Sequence, residues 1–195
     1  MDKFPWGEIS DEEFFTEWIR RVGDDPTRQG LIDTPKRIAK AVKQIYRGYY
    51  DEVPKLTAFD NGSDGLKYDQ MIGDNGYFYS SCEHHGEPFF GRYWFAYIPD
   101  QKIVGLSKIA RVIKHYSGKL QIQERIAKEV CDYIESEIKP KGIALVLKAR
   151  HMCKERRGVE QYGGVMTTNE VRGVFRENQT TKAEFLELIT KNNEW

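Results

Sequence analysis

The segment Tyr77–Asp100, YFYSSCEHHGEPFFGRYWFAYIPD, decides how the rest of the chain is read. Its flanks, Tyr77 to Ser81 and Arg92 to Ile98, are rich in aromatic and β-favouring residues, and Pro99 with Asp100 closes the second. Runs of this kind bounded by turn chemistry read as strands. Between them, Cys82-Glu83-His84-His85 sets a thiol and an imidazole three residues apart, so one turn can wrap both around a single ion. The segment therefore predicts two strands flanking a ligand-bearing turn.

Working outward toward the C-terminus, the periodicity turns helical. Ser107 is expected to cap a helix carrying Ile109, Val112, Ile113 and Tyr116 up to Gly118. A longer helix with Ile122, Ile126, Val130, Tyr133 and Ile134 is expected to run to just before Pro140. Gly142 opens a strand, Ile143 to Ala149, and another is predicted around Val165 to Phe175. Thr181 with Glu184 reads as a capping box for a short final helix.

Toward the N-terminus, Asp51 to Asp74 contains Pro54, Gly62, Gly65 and Gly73 with weak periodicity, which reads as a connector with little regular structure. Ahead of it, Ser10 and Glu13 form a capping box for a helix with Phe14, Phe15, Trp18, Ile19 and Val22, ending near Gly23. Thr34 and Pro35 supply the N-cap and first position of a second helix, with Ile38, Val42, Ile45 and Tyr46 inward and Gly48 as its stop. The expected class is α+β: a helical arm over 1–50, a connector over 51–75, and a domain over 76–195. In that domain a strand pair, two helices and a second strand pair leave sheet edges that oligomerisation would cover.

A chain of 195 residues suits one domain with an extension. Thirty basic residues balance thirty acidic ones, so no whole-molecule field draws the protein to nucleic acid or an anionic membrane, and an anionic ligand must be held by a local cluster. No run is apolar for the length of a bilayer span, and MDKFPWGEIS has no signal-type apolar stretch, so a soluble, cytoplasmic protein is expected. Three cysteines argue against a disulfide framework and leave metal or catalytic roles open. Cys131 sits mid-helix among apolar positions and reads as a small buried hydrophobe.

His151-Met152-Cys153 ends a predicted strand, where residues two apart share a face, so both side chains can enter one site. With Cys82 and His85 this gives a third ligand, Cys153, and a spare histidine. Mixed sulfur and nitrogen donors suit zinc, and three protein ligands with an open fourth position describe a catalytic site holding water. Zinc lowers the pKa of that water to about 7, which suits hydrolysis. His84 and His151 are left for proton transfer.

Gly105-Leu106-Ser107-Lys108 opens a helix after a strand, and the unpaired N–H groups of such a first turn favour an anion. Lys108 and Arg111 lie three apart on one helical face, and Arg156 with Arg157 follow closely on Cys153. A phosphate-binding pocket and a solvated basic face are both open readings. Gln123-Glu124 begins the next helix, where a carboxylate can accept two hydrogen bonds from a guanine-type N1–H and 2-amino group, or serve simply as a surface residue.

Taken together, CEHHGEPFFGRYWFAYIP, GLSKIARVI, QIQER and HMCKERRGV resemble GTP cyclohydrolase I. The likeness extends to GLIDTPKRIAKAVKQIYRGY in the arm and MTTNEVRGVFRE near the end. It implies a tunnelling fold, a toroidal homodecamer built from pentamers with sites at subunit interfaces, and one zinc ion per subunit. The implied reaction converts GTP and water to formate and 7,8-dihydroneopterin triphosphate, a first step of pterin, folate or related deazapurine synthesis. Carried over by position, Cys82, His85 and Cys153 match the zinc ligands, and His84 and His151 the histidines of ring opening. Gln123 and Glu124 match the guanine-recognising residues. Ser107, Lys108, Arg111 and Arg157 match positions around the ribose and triphosphate, Ser107 being counted with the catalytic group.

The chain departs from the family pattern at Gly86-Glu87, at Gly163-Gly164 and over Ile72 to Gly76, which looks about one residue short. These changes touch the pocket rim and spare the expected metal and catalytic positions. Two other readings compete. A zinc nucleobase deaminase calls for a P-C-x-x-C segment, which the chain lacks. A noncatalytic assembly that binds zinc and GTP as a regulator would have no need of His84 and His151, and both are present.

Overall fold

The structure is a computed structural model that describes residues 9–191. The expectation about the first residues therefore lies mostly outside the described part. The elements in chain order are α1 (Asp11–Arg21), α2 (Thr34–Ile45), a 3-10 turn (Arg47–Tyr49), β1 (Ala58–Asp60), β2 (Ile72–Cys82), β3 (Pro88–Ile98), β4 (Lys102–Val104) and α3 (Leu106–Ser117). They continue with β5 (Leu120–Gln121), α4 (Gln123–Ile138), β6 (Gly142–His151), α5 (Met152–Glu155), β7 (Val165–Gly173), α6 (Val174–Glu177) and α7 (Gln179–Lys191). The class is α+β, as expected.

The main sheet has the order β5-β2-β3-β6-β7, with β2–β5 parallel and every other pair antiparallel. Strand β6, GIALVLKARH, shows why an unbroken apolar run sits at the centre. Ile143, Leu145 and Leu147 point to one face, beneath Ile109, Val112 and Ile113 of α3 and Ile126, Val130 and Ile134 of α4. Ala144 and Val146 point to the other, beneath Phe185 and Ile189 of α7. Covered on both faces, the strand has no use for alternation. Each large side chain taken fully out of water contributes ~1.5–3 kcal/mol, so this layer dominates the stability.

One backbone contact fixes the spacing of the two central strands. Gly91 of β3 pairs with Ala149 of β6. A Cβ at Gly91 would meet the Lys148 carbonyl oxygen at 1.8 Å, so only glycine admits this approach.

Several expected boundaries shift. The stretch 51–75, read as a connector with little regular structure, holds β1, which pairs with β4, and the start of β2. Strand β3 begins at Pro88 rather than Arg92. The Ser10–Glu13 capping box is present. The other caps lie further upstream: Asp33 rather than Thr34 precedes α2, and Gly105 rather than Ser107 precedes α3. At α7 the Asn178 side chain accepts from the Thr180 and Thr181 N–H groups, so Thr181 lies inside the helix. Helix α2 ends at Ile45, and Gly48 falls in the 3-10 turn, its N–H donating to the Gly118 carbonyl. Phe175 lies in the short helix α6 instead of ending a strand. Cys131 is fully buried in the main core, as its surroundings predicted.

Candidate metal centre

Two chain segments meet at one end of the sheet. Cys82 closes β2 and His85 lies in the turn that follows, where the Gly86 and His85 N–H groups both donate to the Cys82 carbonyl. Gly86 takes φ +68 with nothing near its missing Cβ, a backbone conformation that favours glycine. Cys153 sits in α5, directly after β6. Because β3 joins β2 on one side and β6 on the other, the register brings the turn and α5 together.

The ligand atoms of Cys82, His85 and Cys153 lie within 4.8 Å of one another, and His85 Nδ1 is 3.7 Å from Cys82 Sγ. With metal–sulfur bonds near 2.3 Å and metal–nitrogen bonds near 2.0–2.1 Å, a single zinc-sized ion can reach all three. The donor set fits such an ion on electrostatic grounds too. Burial, and next the adjacent Cys82, pushes the Cys153 thiol up, so holding both as thiolates requires a positive charge between them.

Polar contacts tie this end together. Arg125 of α4 grips the Glu83 carboxylate with both guanidinium nitrogens, at 2.5 and 3.1 Å, and holds it below its ordinary range. Glu87, the second departing residue, lies 3.3 Å from Arg156 and so links the turn to the end of α5. Glu155 is buried against Arg150, which donates to both carboxylate oxygens, and Gly163 of the following loop adds a backbone hydrogen bond.

His151 is the last residue of β6, paired with Phe89 across the ladder. Its Nε2 lies 3.0 Å from Gln123 Oε1, and burial pushes the imidazole below its ordinary value, with Glu124 opposing. Gln123 opens α4 and is 1% exposed, its amide nitrogen donating to the Leu147 and Met166 carbonyls and to Thr168 Oγ1. In this arrangement both ends of the amide have partners inside the protein. Glu124, the next residue, is exposed. His84 is 64% exposed, with Nδ1 3.9 Å from Cys82 Sγ. Arg157 is exposed and close enough to Cys153 to draw its thiol down.

The remaining three candidates lie on α3. Helix α3 runs along the sheet, and its C-terminal side leads into β5, which pairs with Ser81 and Cys82. Its N-terminal side follows β4, where the Val104 N–H donates to Tyr97 OH. Tyr97 pairs with Ile72 and Ile143, at the other end of the strands. A twelve-residue helix is about 18 Å long. Ser107 and Lys108 in its first turn are therefore separated from the metal donors by roughly that length. Arg111 lines a surface groove with Arg47, Asp51, Glu52, Pro54, Lys114 and His115.

The positioning partners Phe89, Thr168, Arg125 and Arg150 were not signalled in sequence, since each matters only through strand register or helix placement. No helix of the described residues is long and apolar enough to cross a membrane.

The profile of the GTP cyclohydrolase I family matches residues 11–190. Among the curated relatives, a GTP cyclohydrolase 1 from Methylococcus capsulatus is 42% identical over 181 residues, covering 91% of this chain and 96% of its own. One from Chlorobium chlorochromatii is 42% identical over 174 residues, 89% of this chain and 77% of that one. A Pseudomonas putida protein named GTP cyclohydrolase 1 1 is 40% identical over 195 residues, 97% and 100% of the two chains. A solved archaeosine synthase QueF-like structure in the apo form aligns over 55% of this chain and 97% of its own at TM-score 0.45 and 14% identity, too distant to bear on the fold. With the profile spanning nearly its whole length, the chain belongs to the GTP cyclohydrolase I family.

Proposed function

We propose that this enzyme opens the purine ring of GTP by hydrolysis at C8, giving formate and 7,8-dihydroneopterin triphosphate. The observation that carries the reading is the convergence of the Cys82, His85 and Cys153 donors within 4.8 Å, with the half-buried His151 ending the same strand that leads into Cys153. Those three residues would hold zinc, which when bound lowers the pKa of a water to about 7 and supplies a nucleophile at neutral pH.

The chain's own groups divide the remaining work. His151, whose imidazole burial pushes below its ordinary value, can pass a proton to a leaving nitrogen when its ring is protonated. His84, on the exposed side of the turn, is placed to reach a ligand from solvent. Glu124, exposed beside the inward Gln123, can accept from the N1–H and 2-amino group of guanine. Arg157 offers a cation to phosphate next to Cys153.

Ser107 and Lys108 fit the same reading only as contributions from a second copy, because the start of α3 lies toward the far end of the sheet, and Arg111 follows Lys108 one turn later on the same helix. A closed ring of subunits, with β5 or β7 edges joined, supplies such a neighbour. A toroidal decamer built from pentamers with one zinc per subunit is the assembly we infer.

The test is to incubate the zinc-loaded protein with GTP and follow pterin absorbance and formate release, with and without a chelator. Turnover abolished by the chelator and restored by zinc is expected. No turnover by the zinc-loaded protein would sink the reading and leave a noncatalytic GTP-binding assembly.

A further inference from the structure

The amide of Gln123 makes an unusually complete set of contacts for a residue beside a reaction centre. Its nitrogen lies 3.0 Å from the Leu147 carbonyl, 3.2 Å from the Met166 carbonyl and 3.1 Å from Thr168 Oγ1. Two of these partners are backbone carbonyls, which only accept, so the nitrogen end of the amide must face them. The opposite orientation would set Oε1 against two carbonyl oxygens in a site 1% exposed to solvent. The oxygen end is therefore the one that points to His151.

That orientation dictates where the histidine carries its proton. Gln123 Oε1 is 3.0 Å from His151 Nε2, and an amide oxygen has no hydrogen to give. Nε2 must be the donor. Turning the ring over would put a C–H where Nε2 stands and forfeit the bond, while the Phe89 ring, 4.5 Å away and 4° from parallel, holds the plane in which the bond is made. Leu147 and Thr168 are register partners across β6 and β7, so the acceptors that orient the amide belong to the sheet itself.

We propose that Gln123 is a positioning residue that locks the His151 ring as the Nε2–H tautomer, with Nε2 facing Gln123 Oε1 and Nδ1 left as the ring nitrogen without the proton. The proposal rests on the reading of His151 as the proton-transferring group, and it separates the two residues that open α4. Gln123 faces inward and sets the histidine, whereas Glu124 faces outward and is left for the ligand.

The test reads the tautomer directly and without substrate. Zinc-loaded protein carrying ring-¹⁵N histidine is sedimented for solid-state NMR, with His151 assigned by the signal lost in His151→Asn. The expected spectrum has a protonated, pyrrole-type Nε2 and, at a pH where the ring is neutral, a pyridine-type Nδ1. A pyridine-type Nε2 in the unsubstituted protein overturns the proposal, and this outcome needs no variant to fold. In Gln123→Met, which keeps length but removes both ends of the amide, His151 should populate both tautomers. Its kcat with GTP should fall by about tenfold or more, as when the orienting partner of a functional histidine is lost, with KM nearly unchanged. A raised KM with kcat preserved would instead make Gln123 a substrate contact. Failure of all GTP turnover in the unsubstituted protein would sink the proposed function, while the tautomer would still be read.

Discussion

Phe89 and His151 face each other across the β3–β6 ladder and stack ring on ring, with centroids 4.5 Å apart and planes 4° from parallel. Phe89 is fully buried, so the imidazole rests against a wall that cannot give. Phe89→Leu keeps an apolar filler and removes the flat surface. We expect a loss of about 1–2 kcal/mol in stability from the poorer packing and lost ring contact. The zinc content should not change, and kcat should fall more than KM rises. Denaturant midpoints, metal analysis and steady-state kinetics on one preparation check all three.

Cys153 and His151 sit two residues apart but are assigned different work. Cys153→Ala should lose metal and activity together, because two donors hold zinc poorly. His151→Ala should retain zinc and lose ring opening. Zinc per chain after desalting separates the cases, and a metal-free His151→Ala protein would contradict the division of ligand from acid.

Glu87 and Arg156 connect the two segments that carry the donors. The arginine is largely exposed, so the pair contributes less than about 1 kcal/mol to global stability. Its expected effect is local: Arg156→Ala should release zinc to a chelator several-fold faster than the parent protein, with little change in melting temperature. High salt should narrow the difference between them.

Glu155 gives a pH signature. Arg150 first, and the Gly163 backbone further down, hold its carboxyl below the ordinary value of 4.5. A carboxyl depressed in the folded state stabilises the fold above its unfolded value, and this stabilisation is lost as pH falls through the lower folded value. Glu155→Gln should therefore be less stable than the parent at neutral pH, and the gap should close below about pH 4.5. Urea titrations of both proteins from pH 7 down to about pH 2 measure it; a gap that stays constant with pH would contradict the assignment.

Lys108 and His151 offer a test of the shared site. Lys108→Ala and His151→Asn should each be nearly inactive alone. When the two are co-assembled at equal amounts, about one quarter of the sites draw both intact residues from different copies. Activity reappearing on mixing supports Lys108 acting on a neighbour's site; none on mixing, with mixed assemblies confirmed by mass, would remove α3 from the substrate contacts.

The parts of the fold that were legible are those carried by short, self-contained segments. The β6 run GIALVLKARH and the CEHH and HMC ligand groups could be read because chain order alone sets their character. The opening of β2 could not, since Ile72-Gly73-Asp74-Asn75-Gly76 has turn composition and becomes strand only by pairing with Gly76↔Tyr93 through Ile72↔Tyr97. The cap shifts at Thr34, Ser107 and Thr181 have a local cause: in each case a residue just upstream, Asp33, Gly105 or Asn178, takes the terminus. The burial of Gln123 depends on where α4 lands on β6 and β7, which no local pattern encodes.

The missing side chain at Gly91 reaches further than packing. By letting the β3 and β6 backbones approach, it makes strand spacing the base on which the interval between the CEHH turn and α5 is set, with the Glu87–Arg156 pair tightening it at the rim. The donors thus start from a backbone gauge, which surface contacts can tighten or loosen but do not create. That gauge marks residue 91 as a position where engineering of the site has no latitude.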